Sequence, residues 1–293
     1  MDGNGAVTVF IFGAGYSGSA YGRLAAGRGI TVHGTTRDKQ KLDGLRAAGI
    51  TPHLFDGSAS GEMMAALADT THLVISIAPG PDGDPVLEMM RDAIASMERL
   101  EWIGYLSTVG VYGNHDGEWV DEETDCLPVS QRSVQRVAAE MAWQDFADTI
   151  GKPLAILRLS GIYGPGRNAF VNLETGRAKR LIKPGQVFNR IHVEDIARAL
   201  DFLAERRQDG VFNVTDDLPA PPQDVVEYAG SLMKVDLPPA IDFASATISP
   251  MARSFYGENK RVSNAKLKRA GFAFAHSDYK TALSRMWAQD NWH

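Results

Sequence analysis

The sequence predicts an α/β protein built on a doubly wound parallel sheet, with a smaller lobe at the C-terminal side. Three observations predict it. Short apolar runs alternate with amphipathic stretches through the first half of the chain. A glycine-patterned loop follows the first apolar run. After Ser160 the alternation gives way to irregular, Gly-, Arg- and Pro-punctuated segments.

The elements read in order as follows. Val7 to Phe12 is an apolar run of strand length, and Ser17 to Gly27 is its helix. Thr31–Thr35 and Asp38–Ala48 form the next strand and helix, followed by Thr51–Phe55 and Gly61–Ala68. His72–Ile77 leads to a helix over Pro85–Leu100, and Trp102–Ser107 to a long helix over Ser130–Ile150. Pro153–Leu159 closes the series. Strands that alternate with helices at this spacing pair in parallel through right-handed crossovers. Strands apolar on both faces require helices on both sides of the sheet. Residues 1–160 therefore read as one domain and 161–293 as the lobe. Within the lobe, 191–215 return to the sheet through a helix at Glu194–Arg206 and a strand at Val211–Val214.

Composition narrows the function. The 293 residues are 44% hydrophobic and 23% charged, and they carry a net charge of −6. Nucleic acid or an anionic membrane as main partner would need a basic face, so both are excluded as expectations. No apolar run reaches membrane-spanning length, and no export signal opens the chain. The single cysteine, Cys126, has no internal partner for a disulfide and sits among acids, which do not activate a thiol. A cytoplasmic setting is expected.

The glycine loop is Gly13-Ala-Gly15-Tyr16-Ser17-Gly18, placed between a strand and a helix. That is the context in which such a loop binds a dinucleotide. The first glycine makes the tight turn, the second admits the pyrophosphate, and the third lets helix and strand pack closely. The helix N-terminus, with Tyr16 and Ser17, offers amides and a positive dipole end to the phosphates. The fold is thus a Rossmann sheet with a substrate lobe. The second strand ends Thr35-Thr36-Arg37-Asp38. An acid at the expected place would hold a ribose 2′-hydroxyl, whereas Thr36 and Arg37 suit a 2′-phosphate. NADP is the expected cofactor, with NAD the alternative. Asp38 as a helix cap, with Arg37 merely solvated, is the competing reading.

Further segments occur in a fixed order: Asp56 after the third strand, Leu106-Ser-Thr-Val-Gly-Val-Tyr-Gly113, Arg158-Leu-Ser-Gly-Ile-Tyr-Gly-Pro-Gly166, His192-Val-Glu-Asp195 and Phe212-Asn-Val214. Together with the glycine loop they make the chain resemble the extended short-chain dehydrogenase/reductases, the NAD-dependent epimerase/dehydratase group. The resemblance runs from about residue 7 to about residue 270. It implies that Asp56 meets the adenine ring, that Ala78 and Pro79 flank the adenine ribose, and that Ser107 also lies on the cofactor. It implies that Thr108 is the catalytic Ser/Thr and that Gly161, Ile162 and Tyr163 close over the nicotinamide. Tyr112, Arg167 and His192 are placed on the substrate side, and Tyr112 and Tyr163 are the candidate substitute acids. Packing or a ribose contact is the competing role for both tyrosines, and capping of the following helix for His192. A homodimer through two long helices per chain is the assembly that the resemblance implies.

One part of the pattern fails. The group relies on Tyr-x-x-x-Lys at the start of the long helix, where the Tyr exchanges a proton with substrate. Here Arg132 and Arg136 fall on those two positions. Arg136 can still bond a ribose, but a guanidinium does not serve as a base. Another Tyr-x-x-x-Lys, Tyr256 to Lys260, contains Gly257 and Asn259, which disfavour the helix that would make its side chains face each other. The chain therefore reads as an atypical member, an oxidoreductase or epimerase-type enzyme with an altered catalytic set acting on a small substrate. The alternative is a non-catalytic NADP-binding sensor. No Gly-x-Ser-x-Gly elbow supports a hydrolase, and the seven histidines lack metal-ligand spacing, so no metal is expected.

Overall fold

A computed structural model describes residues 6–293, the side chains of 250–252 excepted. The chain opens with β1 (Thr8–Phe12), α1 (Tyr16–Gly27) and β2 (Thr31–Thr36), and a short 3-10 segment then runs into α2 (Leu42–Ala47). Next come β3 (Thr51–Leu54), α3 (Gly61–Ala68), β4 (His72–Ile75), α4 (Pro85–Ala95), β5 (Trp102–Thr108) and β6 (Trp119–Val120). The long helix α5 (Gln131–Ile150) leads to β7 (Leu154–Leu159), β8 (Gly161–Tyr163), α6 (Ala169–Glu174), β9 (Arg180–Ile182) and β10 (Arg190–His192). The remainder is α7 (Val193–Glu205), β11 (Gly210–Val214), α8 (Pro222–Met233), β12 (Ala240–Asp242), α9 (Pro250–Phe255), β13 (Arg261–Val262), α10 (Ala265–Arg269) and α11 (Tyr279–Ala288).

Seven strands form one sheet in the order β3-β2-β1-β4-β5-β7-β11, which gives the mixed α/β, Rossmann-like architecture expected. β1 pairs in parallel with β2 on one side and β4 on the other. Chain direction across the sheet reverses at that point, so the carboxyl ends of β1 and β4 bound the crevice where such sheets bind ligands. Every residue of β1, β4 and β7 is buried. Phe10, Phe12, Leu73, Ile75 and Ile103 pack with Met63 of α3, Met90 and Ile94 of α4, and Trp143 and Phe146 of α5. The apolar strand runs are thus explained by burial on both faces.

Where boundaries differ from the sequence reading, hydrogen bonding decides. β4 stops at Ile75 because its last partner in β1 is Phe12, before the glycine turn. α4 ends at Ala95, where Ser96 Oγ bonds back to the Ala93 carbonyl at 2.8 Å. Asp38 caps the 3-10 segment by accepting from the Gln40 amide at 2.9 Å, so the expected helix over 38–48 starts late.

Two compact units share the chain. The first holds residues up to Thr108, Val134–Arg158 and Ile196–Phe212; the second holds Val109–Ser133, Leu159–Asp195 and Asn213–His293. β11 joins the seven-stranded sheet, while Val109–Ser133, read from sequence within the N-terminal domain, belongs to the second unit. The second unit also contains the two-stranded pairs β8–β10, β9–β12 and β6–β13. Its core gathers Phe170 with Ala229 of α8 and Tyr279, Leu283 and Met286 of α11.

A buried ion pair ties α5 to the sheet in the first unit. The Arg158 guanidinium donates to both Glu140 carboxylate oxygens, the shortest contact being 2.8 Å. Ser107 Oγ donates to the same carboxylate. Removing one member strands the other charge in the interior. Glu140→Ala should therefore cost about 3–5 kcal/mol of stability. Glu101→Ala, which breaks the exposed pair with Arg207, should cost less than about 1 kcal/mol. Denaturant titration of both variants checks this; equal losses would remove the buried pair from its structural role.

Candidate cofactor and active site

The first unit assembles the glycine loop from the ends of β1 and β2. Gly13 adopts φ +85°, and a side chain there would meet Ile77 after β4, so only glycine fits. Gly18 abuts β1: a Cβ would lie 2.8 Å from the Gly13 carbonyl oxygen. Gly15 is different, because the nearest atom to a Cβ is 4.0 Å away. Its lack of a side chain serves no contact within the protein and leaves space for a ligand. Thr35, a buried residue on β2, fixes the loop from the side. Its Oγ1 accepts from the Gly13 amide and its carbonyl from the Ala14 amide, both at 2.8 Å. α1 opens at Gly15 with neither a side-chain cap nor an acid in its first turn, which leaves the dipole end for an anion. Ser17 is buried there and Tyr16 is exposed.

The adenosine-side candidates follow the carboxyl ends of the other strands. Arg37 is exposed after β2, and no acid is paired with it among the described residues. Thr36 Oγ1 accepts from the Asp38 amide at 3.1 Å and so helps set that turn. Asp56 follows β3 at the surface; hydrogen bonds from Ser58 hold its carboxyl below the usual range, so it stays ionised. Ala78 is exposed and Pro79 half-buried after β4.

Arg136 reaches back to β5. Its Nη1 donates to the Leu106 carbonyl oxygen and to the Tyr105 hydroxyl, both at 2.9 Å. These bonds hold the guanidinium beside the strand that ends in Ser107 and Thr108, and they do not use Nε or Nη2. Burial pushes the Tyr105 phenol up, so it remains a neutral partner. Arg132 is exposed one turn earlier on α5.

In the second unit, Gly161, Ile162 and Tyr163 form β8, paired in register with Arg190, Ile191 and His192 of β10. The Tyr163 ring stands edge-on to His192 at 5.3 Å, and its buried hydroxyl has no hydrogen-bond partner among the described residues. Burial pushes that phenol up, so it holds its proton through the neutral range. Tyr112 is fully buried, and its hydroxyl donates to Asn213 Oδ1 at 2.8 Å. Arg167 is exposed in the turn closed by its paired hydrogen bonds with Gly164. His192 is buried, and desolvation together with neighbouring His276 lowers its pKa to about 3. Its Nδ1 accepts from the Glu194 amide at 3.3 Å, a role close to the capping reading. Lys260 is buried and donates to the Gly113 carbonyl and to Glu258, each at 2.7 Å, and 256–260 is not helical.

Sequence reasoning missed three features. Thr35 carries no motif, and its role exists only once β1 and β2 are paired. Glu140 carries no motif, and its bond to Arg158 needs the fold. Asp216 is a buried acid whose pKa burial raises to about 8, with one carboxylate oxygen lacking a partner among the described residues.

A glycine loop pinned at the switch point of a seven-stranded Rossmann sheet defines a dinucleotide-binding protein. The chain belongs to the NAD-dependent epimerase/dehydratase family, whose model matches residues 9–215. It is 28% identical over 220 residues to Protein YeeZ of Escherichia coli strain K12, covering 70% of this chain and 76% of that protein. A solved structure from Silicibacter pomeroyi, described as a conserved protein of unknown function, shares 45% identity and a TM-score of 0.89, covering 97% of this chain and 99% of that one. UDP-glucuronic acid 4-epimerase from Bacillus cereus, in complex with NAD, shares the fold at 15% identity and a TM-score of 0.76, covering 96% of each chain.

The open space at Gly15 gives a direct test. Gly15→Val should leave the melting temperature within about 2 °C of the parent, since its Cβ meets nothing closer than 4.0 Å. The cofactor-induced rise in melting temperature should vanish. A variant that still responds to cofactor as the parent does would show that the loop is structural only.

Proposed function

We propose that this chain is an NADP-dependent oxidoreductase or epimerase-type enzyme acting on a small substrate, with a catalytic set changed at the long helix. The observation that carries the reading is Arg136, anchored by Leu106 and Tyr105 at the end of the strand that delivers Thr108. A nicotinamide cofactor supplies hydride transfer when bound. The residues present fit it: Gly15 leaves room for the pyrophosphate, and the uncapped α1 N-terminus offers it amides. Arg37, with no acidic partner among the described residues, takes the 2′-phosphate. Asp56, Ala78 and Pro79 take the adenosine, and Ser107 lies beside the cofactor. The unspent Arg136 donors hold a ribose hydroxyl. Thr108 donates to the reacting oxygen of the substrate. Gly161, Ile162 and Tyr163 in the second unit keep the nicotinamide-side role, and Tyr112, Arg167 and His192 the substrate-side role, that the family pattern gives them. Tyr163, which keeps its proton, suits an acid rather than a base.

A cytoplasmic setting accompanies this reading, supported by a sequence with one cysteine, Cys126; among the described residues no helix is long and apolar enough to cross a membrane. A homodimer through α4 and α5 is part of it too. Exposed Met89, Val134 and Met141 on these helices support that face. The sensor reading has one observation in its favour, namely that the position of the proton-exchanging Tyr holds exposed Arg132.

Losing charge-assisted hydrogen bonds costs roughly 1.5–3 kcal/mol, so Arg37→Ala should weaken NADPH about ten- to a hundredfold and leave NADH nearly unchanged in calorimetric titration. Equal losses for both cofactors would reject the 2′-phosphate assignment. The catalytic reading is tested by single-turnover NADPH oxidation against carbonyl compounds and nucleotide sugars. Thr108→Val should slow hydride transfer on the order of a hundredfold. Arg136→Ala should raise the cofactor dissociation constant, and Arg132→Ala should leave the step largely intact. An unaltered rate in Thr108→Val with cofactor still bound would remove Thr108 from catalysis. Tight NADPH binding without turnover on any substrate would favour the sensor.

A further inference from the structure

We propose that His192, Glu194 and His276 form a binding site for one divalent transition-metal ion of the zinc type, held entirely within the second unit. The sequence hides this set, because His276 lies 82 residues beyond Glu194. In the fold, one nitrogen of each imidazole and one Glu194 carboxylate oxygen lie within 4.8 Å of one another. The two rings sit 3.9 Å apart between centroids, and His276 Nε2 is 2.8 Å from Glu194 Oε2.

The backbone builds the site without help from an ion. His192 ends β10, which β8 holds in register, and Glu194 follows in the first turn of α7. Fully buried Asp195 accepts from the amides of Ala275 at 2.7 Å and His276 at 2.9 Å. The segment bearing His276 is thereby fastened to the start of α7. Support of this kind is what keeps metal ligands oriented.

The hydrogen bonding of the two rings is incomplete. His192 Nδ1 meets the Glu194 amide and His276 Nε2 meets the Glu194 carboxylate, whereas His192 Nε2 and His276 Nδ1 are buried with no partner among the described residues. A buried imidazole nitrogen without a partner is costly whether it carries a hydrogen or a lone pair. Coordination offers the rings a partner. If Nε2 of His192 is the ligand, the ring's hydrogen moves to Nδ1 and the long bond from the Glu194 amide is given up. Two imidazoles and a carboxylate suit zinc and its neighbours, not magnesium or calcium, which prefer all-oxygen shells. Tetrahedral ligands at ~2.0–2.1 Å from zinc lie about 3.3 Å apart, so separations wider than this must contract and, if His276 Nε2 is the ligand, its 2.8 Å contact with Glu194 must open slightly. Glu194 is half-exposed and can move, and its side gives the ion an entry path and a position for water.

The test uses the full chain freed of metal by a chelator. Zinc sulfate titration by calorimetry should show one site, and cobalt(II) should give the intense visible absorption of a tetrahedral complex. Glu194→Gln and His276→Gln should each weaken zinc at least tenfold and abolish the cobalt band. Because His276 is buried and its variant can misfold, the decisive variant is Glu194→Gln, with an unchanged melting temperature before metal is added. No saturable zinc binding by the parent would overturn the proposal. So would zinc binding that both variants retain, which would assign it to other histidines, or magnesium binding as tight as zinc.

Discussion

The cofactor loop depends on the two hydrogen bonds by which Thr35 holds Gly13 and Ala14. A parallel sheet brings the end of β2 alongside the end of β1, and Thr35 turns that adjacency into a fixed loop. With the loop fixed, Gly13 turns under Ile77, α1 starts at Gly15, and Gly18 lets the helix lie close on β1. The geometry of an anion site at a helix start thus rests on a residue that need not touch the ligand. The buried carboxylate of Glu140 plays a similar part farther along, joining Ser107 on β5, Arg158 on β7 and the middle of α5. The strand end that presents Thr108 is braced from α5 by this carboxylate and by Arg136.

Arg136, where the family pattern has a Lys, differs from it in more than reach. An ammonium is a point charge with three rotatable donors, whereas a guanidinium is a planar fork. Arg136 uses one end of that fork to grip the strand, which an ammonium could do only by spending donors needed elsewhere. One turn earlier Arg132 stands where the family pattern has a Tyr, an exposed permanent cation in place of a titratable hydroxyl. The sheet does not depend on the side chain at position 132, so the fold of this family accommodates an arginine there.

The parts of the fold legible in the sequence were those with strong local signals. β1, β4, β5 and β7 are apolar runs bounded by turns, and the structure buries them. The glycine loop was legible because its spacing and its place between β1 and α1 are local, and Gly13 and Gly18 answer a steric need within the fold. The second unit was read poorly. Strands such as β6, β9 and β13 are two or three residues long, too short for periodicity to register. α8 and α11 went unread because Pro-rich flanks and mixed polarity obscured their apolar faces, which pack with Phe170 in the structure. Long-range polar sets were invisible for a different reason: His192 and His276, or Ser107 and Glu140, have no sequence relationship until the chain is folded.

The way the chain is divided has a consequence for its synthesis. The first unit is assembled from three separate stretches, the last ending at Phe212, and the second unit from the three that alternate with them. When the residues up to Thr108 have left the ribosome, β5 is an open edge: its neighbour β7 and the outer strand β11 have yet to be made. Exposed apolar edges of this kind invite pairing with other chains. The nascent dinucleotide-binding half must therefore wait, incomplete, through roughly another hundred residues of translation, the interval in which a chaperone would matter most. For the same reason no single cut yields either unit as a continuous fragment, and an isolated glycine-loop piece would carry that unprotected edge permanently.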